Sequence, residues 1–172
     1  MREESRVVLF IASSLDGYIA RPDGRVDWLF QDGDYGYDGF YESIGSVIMG
    51  GKTFEMINSF GEFPYKEKEC FVFSRKTTVS HPDVEFVSDD IADFTRKLKT
   101  SQEKDIWLCG GSEIISVLMA HHLVDQIILS VHPVIIGEGI ALFKNETGDW
   151  PLRLVKCQSF SSGLVQLGYD VV

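Results

Sequence analysis

The sequence predicts an α/β fold: a mostly parallel central sheet, helices on both of its faces, and an antiparallel edge at the C-terminal end. Three observations carry this. Apolar runs of strand length alternate with helix-forming segments through most of the chain. These runs are continuously apolar rather than alternating, as strands covered on both faces are. The chain then closes on two strand-like stretches, 152–160 and 164–172, joined by Ser161-Ser162-Gly163, which fits a hairpin turn.

Taken in order, Val7-Val8-Leu9-Phe10-Ile11-Ala12 reads as a buried strand that Ser13-Ser14-Leu15-Asp16-Gly17 interrupts. Arg21-Pro22-Asp23-Gly24 has turn chemistry, and residues 31–39, rich in Gly, Asp and Tyr, read as a loop leading into a helix over 37–44. Ser46-Val47-Ile48-Met49 is a strand ending at Gly50-Gly51, and Lys52-Thr53-Phe54-Glu55-Met56-Ile57 opens a helix. Glu69-Cys70-Phe71-Val72-Phe73 is a strand that stops at Ser74-Arg75, and Val84-Glu85-Phe86-Val87 is a short one. Ser88-Asp89-Asp90 offers capping oxygens and first-turn carboxylates for a helix running to about Leu98. Ile106-Trp107-Leu108-Cys109 is the next strand, Gly110-Gly111 its turn, and 112–122 the helix that follows. Residues 125–134 read as a long strand whose regular pairing Pro133 should end.

At 172 residues the chain is expected to be one domain, and an apolar fraction of 44% with ordinary charge content indicates a globular protein with a substantial core. The net charge of −10 argues against a general affinity for nucleic acid or anionic membrane, while leaving room for a locally basic pocket that takes an anionic small ligand. The charged start lacks the apolar core of a secretory signal, and no run is long enough to span a bilayer. The three cysteines are far apart and sit mostly in apolar runs, so buried, reduced thiols in a reducing cytoplasm are expected. No pair of residues has metal-ligand spacing, and no structural metal is expected.

Three strand ends share one design. Gly50-Gly51-Lys52-Thr53, Ser74-Arg75 and Gly110-Gly111-Ser112 each place small, hydroxyl or basic residues directly after an apolar run. Ligands of open α/β sheets sit outside the carboxyl ends of the strands. Glycines remove the Cβ atoms that would block close approach, and a helix start offers unpaired N–H groups to an anion. Lys52 supplies a point charge, Thr53 a hydroxyl and Arg75 a planar fork, a set suited to an extended ligand with more than one phosphate. Singly, the two cations also read as solvated surface charges and Thr53 as a helix cap.

These segments, with Leu15-Asp16-Gly17-Tyr18-Ile19-Ala20 before them and Pro133-Val134-Ile135-Ile136-Gly137-Glu138-Gly139 after, resemble the dihydrofolate-reductase-like superfamily, a three-layer sandwich. The Ser-Leu-Asp-Gly start, Leu123-Val124-Asp125 and the Gly137-x-Gly139…Leu142-Phe143 ending are most similar to the reductase domain of the bifunctional riboflavin-biosynthesis deaminase-reductase. The resemblance implies a cytoplasmic, homodimeric reductase that takes NADPH, with NADH as the alternative, and passes hydride to a small heterocyclic or carbonyl substrate, similar to 5-amino-6-(5-phosphoribosylamino)uracil reductase. It places Ala12 and Ile19 at the nicotinamide end and Gly51, Lys52 and Thr53 at the pyrophosphate and adenosine ribose. Ser74 and Arg75 fall on the 2′-phosphate, and Gly110, Gly111, Ser112, Glu113 and Ile114 form the pyrophosphate cradle, with a cis peptide between Gly110 and Gly111. Asp34 matches the acid of dihydrofolate reductases, and Asp38 lies one helical turn on; these two are the candidate catalytic acids. Asp16 and Trp28 are candidate substrate contacts, although Asp-Gly is also a turn signal and an aromatic at 28 also suits a core or a lid.

The chain departs from the family pattern at two informative places. Gly51 stands where the family commonly has Arg or Lys, which bears on the preference for NADPH. Val131 stands where a threonine assists pterin binding and cannot donate a hydrogen bond, which disfavours dihydrofolate as substrate. The zinc signature of a deaminase is absent. Dihydrofolate reduction and a non-catalytic nucleotide-binding or sensor role are the alternatives.

Overall fold

The computed structural model describes residues 4–75, 80–144 and 148–172. Its central sheet has the strand order β5-β4-β3-β6-β1-β7-β10-β9. These strands are β1 (Val7–Ser14), β3 (Ile44–Gly50), β4 (Glu69–Phe73), β5 (Glu85–Val87), β6 (Asp105–Gly110), β7 (Gln126–His132), β9 (Leu152–Ser159) and β10 (Val165–Val171). Neighbours from β5 through β7 pair in parallel, and β10 and β9 close that end of the sheet antiparallel. The predicted architecture is the observed one.

The helices are α1 (Tyr37–Ser43), α2 (Gly51–Ser59), α3 (Ile91–Ser101) and α4 (Ser112–Ala120). Strand side chains alternate between faces, so each strand feeds two cores. Val7, Leu9, Ile48, Ile106 and Leu108 point to the side where Ala92 and Leu98 of α3 and Ile115 and Leu118 of α4 pack. Ile44, Val47, Met49, Val72 and Trp107 point to the opposite side, against Phe54 of α2, Phe63 and the aromatic face of α1. Burying a side chain of this size contributes about 1.5–3 kcal/mol. The cap of α3 is Asp90, whose carboxylate accepts from the Asp93 amide at 2.9 Å, so the helix starts at Ile91 rather than at the first of the capping residues.

Two features differ from the sequence reading. A second, two-stranded sheet pairs β2 (Tyr18–Ala20) with β8 (Ile140–Ala141). Strands this short carry no periodicity; they exist because the chain backbones meet closely. A Cβ on Gly139 would stand 2.3 Å from the Ala20 carbonyl oxygen, which is the reason a glycine ends the Gly137-x-Gly139 segment. The expectation of three buried thiols also fails. Cys70 is buried and Cys109 partly so, but Cys157 is exposed, because all of β9 lies exposed at the edge of the sheet. β7 ends at His132, immediately before Pro133, as expected.

Candidate functional site

Parallel pairing brings the ends of β4, β3, β6, β1 and β7 to one edge, and the strand order makes the three sequence-predicted turns neighbours. They touch. The Gly111 amide donates to Thr53 Oγ1 at 3.0 Å, joining the start of α4 to the start of α2. A Cβ on Gly111 would crowd that hydroxyl at 3.2 Å, one on Gly50 would meet Ile114 at 3.2 Å, and one on Gly51 would meet Ser74 Oγ at 3.5 Å. Gly110 has φ +136°, a conformation that side chains oppose, and a Cβ there would lie 3.6 Å from Ile11 of β1. The expected cis Gly110–Gly111 bond is not present; no peptide bond is cis among the described residues.

Helices α2 and α4 both start at this edge behind a glycine with no side-chain cap, Gly50 and Gly111. Amide N–H groups of two first turns are thereby left without intrahelical partners. Lys52 and Arg75 are exposed beside them. Other expected contacts are already engaged. The Ser112 hydroxyl donates to the Ala141 carbonyl at 2.7 Å and is buried, and the Ile114 side chain lies in the core. At these two positions the side chain is committed to the fold, which leaves only the backbone free for other contacts. Glu113 is exposed in the first turn of α4.

On the other half of the edge, Ala12 lies in register with Ser130 of β7, and Ile19 packs onto the core beneath α3 and α4. The Asp16 carboxylate receives the Ser14 hydroxyl at 2.7 Å and the amides of Ile136 and Gly137 at 3.2 and 2.8 Å. Those bonds, the Ser14 one foremost, hold it below the usual carboxylate range. Its present partners are thus the chain itself. Trp28 is buried against the His132 ring, with centroids 5.2 Å apart.

Asp34, two residues before the Gly36 N-cap of α1, accepts from the amides of Gly36 and Asp38 at 2.9 and 2.7 Å. Asp38 is exposed, and the neighbouring Asp34 charge raises its pKa. A carboxyl that keeps its proton to higher pH is better suited to general-acid work than an unperturbed one. Asp34 also lines an open cleft of about 450 Å³ with Asp32, Tyr35 and the 160–162 turn between β9 and β10. Sequence reading missed the buried polar residues below this segment: Ser14, Ser130, His132 and Gln166. The available signal was a serine and a histidine at alternate positions of an otherwise apolar strand.

The family model of the RibD C-terminal domain matches residues 5–166. Two uncharacterised Bacillus subtilis (strain 168) proteins are similar over almost their whole lengths. YwjB is 39% identical over 172 residues, covering 96% of this chain and 98% of its own. YyaP is 36% identical over 179 residues, covering 97% and 95%. Among solved structures, a Shewanella sp. PV-4 protein assigned to riboflavin biosynthesis superposes with TM-score 0.86 at 26% identity, over 97% of this chain and 99% of that one. The Thermotoga maritima diaminohydroxyphosphoribosylaminopyrimidine deaminase/5-amino-6-(5-phosphoribosylamino)uracil reductase gives TM-score 0.77 at 20% identity, over 98% of this chain and 57% of that one.

Proposed function

The chain belongs to the RibD C-terminal domain family, and from that premise we propose that it is a reductase of the riboflavin-pathway type that binds NADPH along the ends of β4, β3 and β6 and reduces a small heterocyclic or carbonyl compound beside β1 and β7. The supporting observation is the glycine-lined junction of three adjacent strand ends, where Thr53 and Gly111 are bonded and two uncapped helices begin. Added Cβ atoms at Gly50 and Gly111 would crowd Ile114 and Thr53, so these glycines are what let the starts of α2 and α4 come together, and the paired helix starts suit an anionic ligand. When bound, the nicotinamide cofactor supplies the hydride.

The chain's own part is to bind, orient and exclude water. Helix-start amides of α2 and α4 hold the pyrophosphate, with Lys52 as a mobile charge beside it. Arg75, with Ser74, holds the 2′-phosphate; its fork geometry compensates for the missing cation at position 51. In this reading Asp38 delivers the proton, and the Asp34 carboxylate holds its backbone amide. A phosphoribosylaminouracil is the model substrate because the Thermotoga maritima relative carries that activity in its name. The reading includes a cytoplasmic location, consistent with three cysteines that remain thiols.

The decisive measurement is a titration with NADPH and with NADH, followed by nicotinamide fluorescence. Replacing Arg75 by Ala removes charge-assisted hydrogen bonds worth about 1.5–3 kcal/mol, so NADPH affinity should fall about 10- to 150-fold. NADH affinity should hardly move; equal losses for both would refute the 2′-phosphate role. Binding with no oxidation against any pterin, aminouracil, quinone or aldehyde would favour the sensor reading.

We infer a homodimer formed through β9. All eight of its residues are exposed, and Leu152, Leu154 and Val155 are 42%, 54% and 50% exposed. An edge strand with exposed apolar side chains and an unpaired outer edge is a template for another strand. Arg153 is neutralised by Asp170 at 2.8 Å, which lowers the charge two copies of β9 would bring together.

A further inference from the structure

The sheet carries a buried polar support beneath residues 28–36. Ser130, His132 and Gln166 are only 7%, 3% and 3% exposed. Gln166 of β10 stands opposite Ser130 of β7 and donates through Nε2 to the Ser130 hydroxyl at 3.1 Å and to the Tyr35 carbonyl at 2.9 Å. Two residues further along β7, on the same face, His132 Nε2 accepts the Phe30 amide at 3.2 Å. Its Nδ1 lies 3.2 Å from the Ser130 carbonyl oxygen. A ring that accepts at Nε2 and faces a carbonyl at Nδ1 is neutral, with its proton on Nδ1. The rings of Trp28 and Phe30 pack on the imidazole, with centroids at 5.2 and 4.9 Å. The segment is therefore gripped at Phe30 and again at Tyr35, and it carries Asp34 directly into α1.

Resting on the reductase reading of this edge, we propose that His132 is a positioning residue: its neutral imidazole holds residues 28–36 over the substrate end of the groove, and its protonation releases them. A doubly protonated ring presents N–H at Nε2, where the Phe30 amide also presents N–H, and the bond becomes a donor–donor clash. The surroundings set when this happens. Burial disfavours the charged ring, moving titration below the ordinary 6.5. Opposing this are the backbone groups of Ser130 and of Ser13 on β1, and the carboxylate of Asp32 from the segment itself. The contributions of Gln166 on β10 and of Trp28 and Phe30 are uncharged. At neutral pH the grip is closed, and acid opens it.

Hydrogen–deuterium exchange of the full chain tests this without any substrate. In the wild type, amides of 28–36 should stay protected at neutral pH. They should exchange about tenfold faster, after correction for intrinsic rates, once the pH falls well below the ordinary histidine range. Amides of β3 serve as the reference and should not change. His132→Leu should lose the protection at every pH. His132→Gln, whose amide can both accept from Phe30 and donate to the carbonyl, should keep it and show no acid release. NADPH affinity should stay within about twofold in both variants, because the cradle lies on β4, β3 and β6. Intact protection in His132→Leu, retention of wild-type protection in acid, or parallel opening of β3 would each overturn the proposal. Should His132→Leu not fold, the wild-type pH series and His132→Gln still decide it. Failure of the wild type to bind NADPH would sink the reductase reading and leave the exchange result standing.

Discussion

The Asp16 carboxylate joins two parts of the chain that are far apart in sequence. It takes hydrogen bonds from Ser14 at the end of β1 and from the amides of Ile136 and Gly137, about 120 positions later. Its pKa is depressed from the ordinary 3.8, so the ionised form is the one the fold favours. A group of this kind contributes its stability above the unfolded value and loses it as the pH falls through the lower folded value. Asp16→Asn, which keeps one acceptor but no charge, should thus be less stable than the wild type from neutral pH down to moderate acid. The difference should shrink below pH 3.8. Denaturant midpoints at several pH values measure it, and a difference that grew in acid would contradict the assigned bonds. The sequence marked Asp16 through its Asp-Gly turn, but its partners were invisible there. Backbone amides of a distant loop leave no residue signature.

At the scale of elements, the junction of α2 with α4 deserves a direct test. Thr53 is in the first turn of α2, and its hydroxyl is the acceptor for the Gly111 amide at the start of α4. Thr53→Val keeps the shape and removes the acceptor, leaving a part-buried N–H without its partner. The expected loss is about 1–3 kcal/mol of stability, together with weaker NADPH binding, and Thr53→Ser should restore both. Equal behaviour of Val and Ser variants would show that the bond contributes nothing. Most elements were readable in advance, because β1, β3, β4 and β6 are built on apolar runs with glycine or serine stops, and β7 is a largely apolar strand that ends before Pro133. The β2–β8 pair was not readable, since two or three residues show no period and their pairing depends on Gly139 meeting Ala20.

For the whole molecule, the proposed dimer rests on the antiparallel end of the sheet. β9 is the outermost strand and is exposed throughout, with Leu152, Leu154 and Val155 among polar and charged neighbours. A second copy of β9 would cover Leu152, Leu154 and Val155 around a two-fold axis. Light scattering should therefore report a dimer of the 19.4 kDa chain, and Leu154→Asp should shift it to the monomer. A wild type that scatters as 19.4 kDa alone would reject the interface. The proposed NADPH site, at the ends of β4, β3 and β6, lies away from β9 in the strand order, so this substitution should leave NADPH binding intact.

The residues alone determined which segments become the strands of the central sheet, and that three of the stops after them carry glycine, hydroxyl and basic chemistry. Apolar periodicity and turn preference are local properties, recorded within a few positions of one another. Only the folded chain decided which stops became neighbours, which carboxylates were already bonded, and that a histidine and a glutamine would grip a loop from below. His132 meets the Phe30 amide across 102 positions, and Gln166 meets the Tyr35 carbonyl across 131. Contacts at that separation arise from the order of strands in the sheet, a non-local outcome of packing both faces at once.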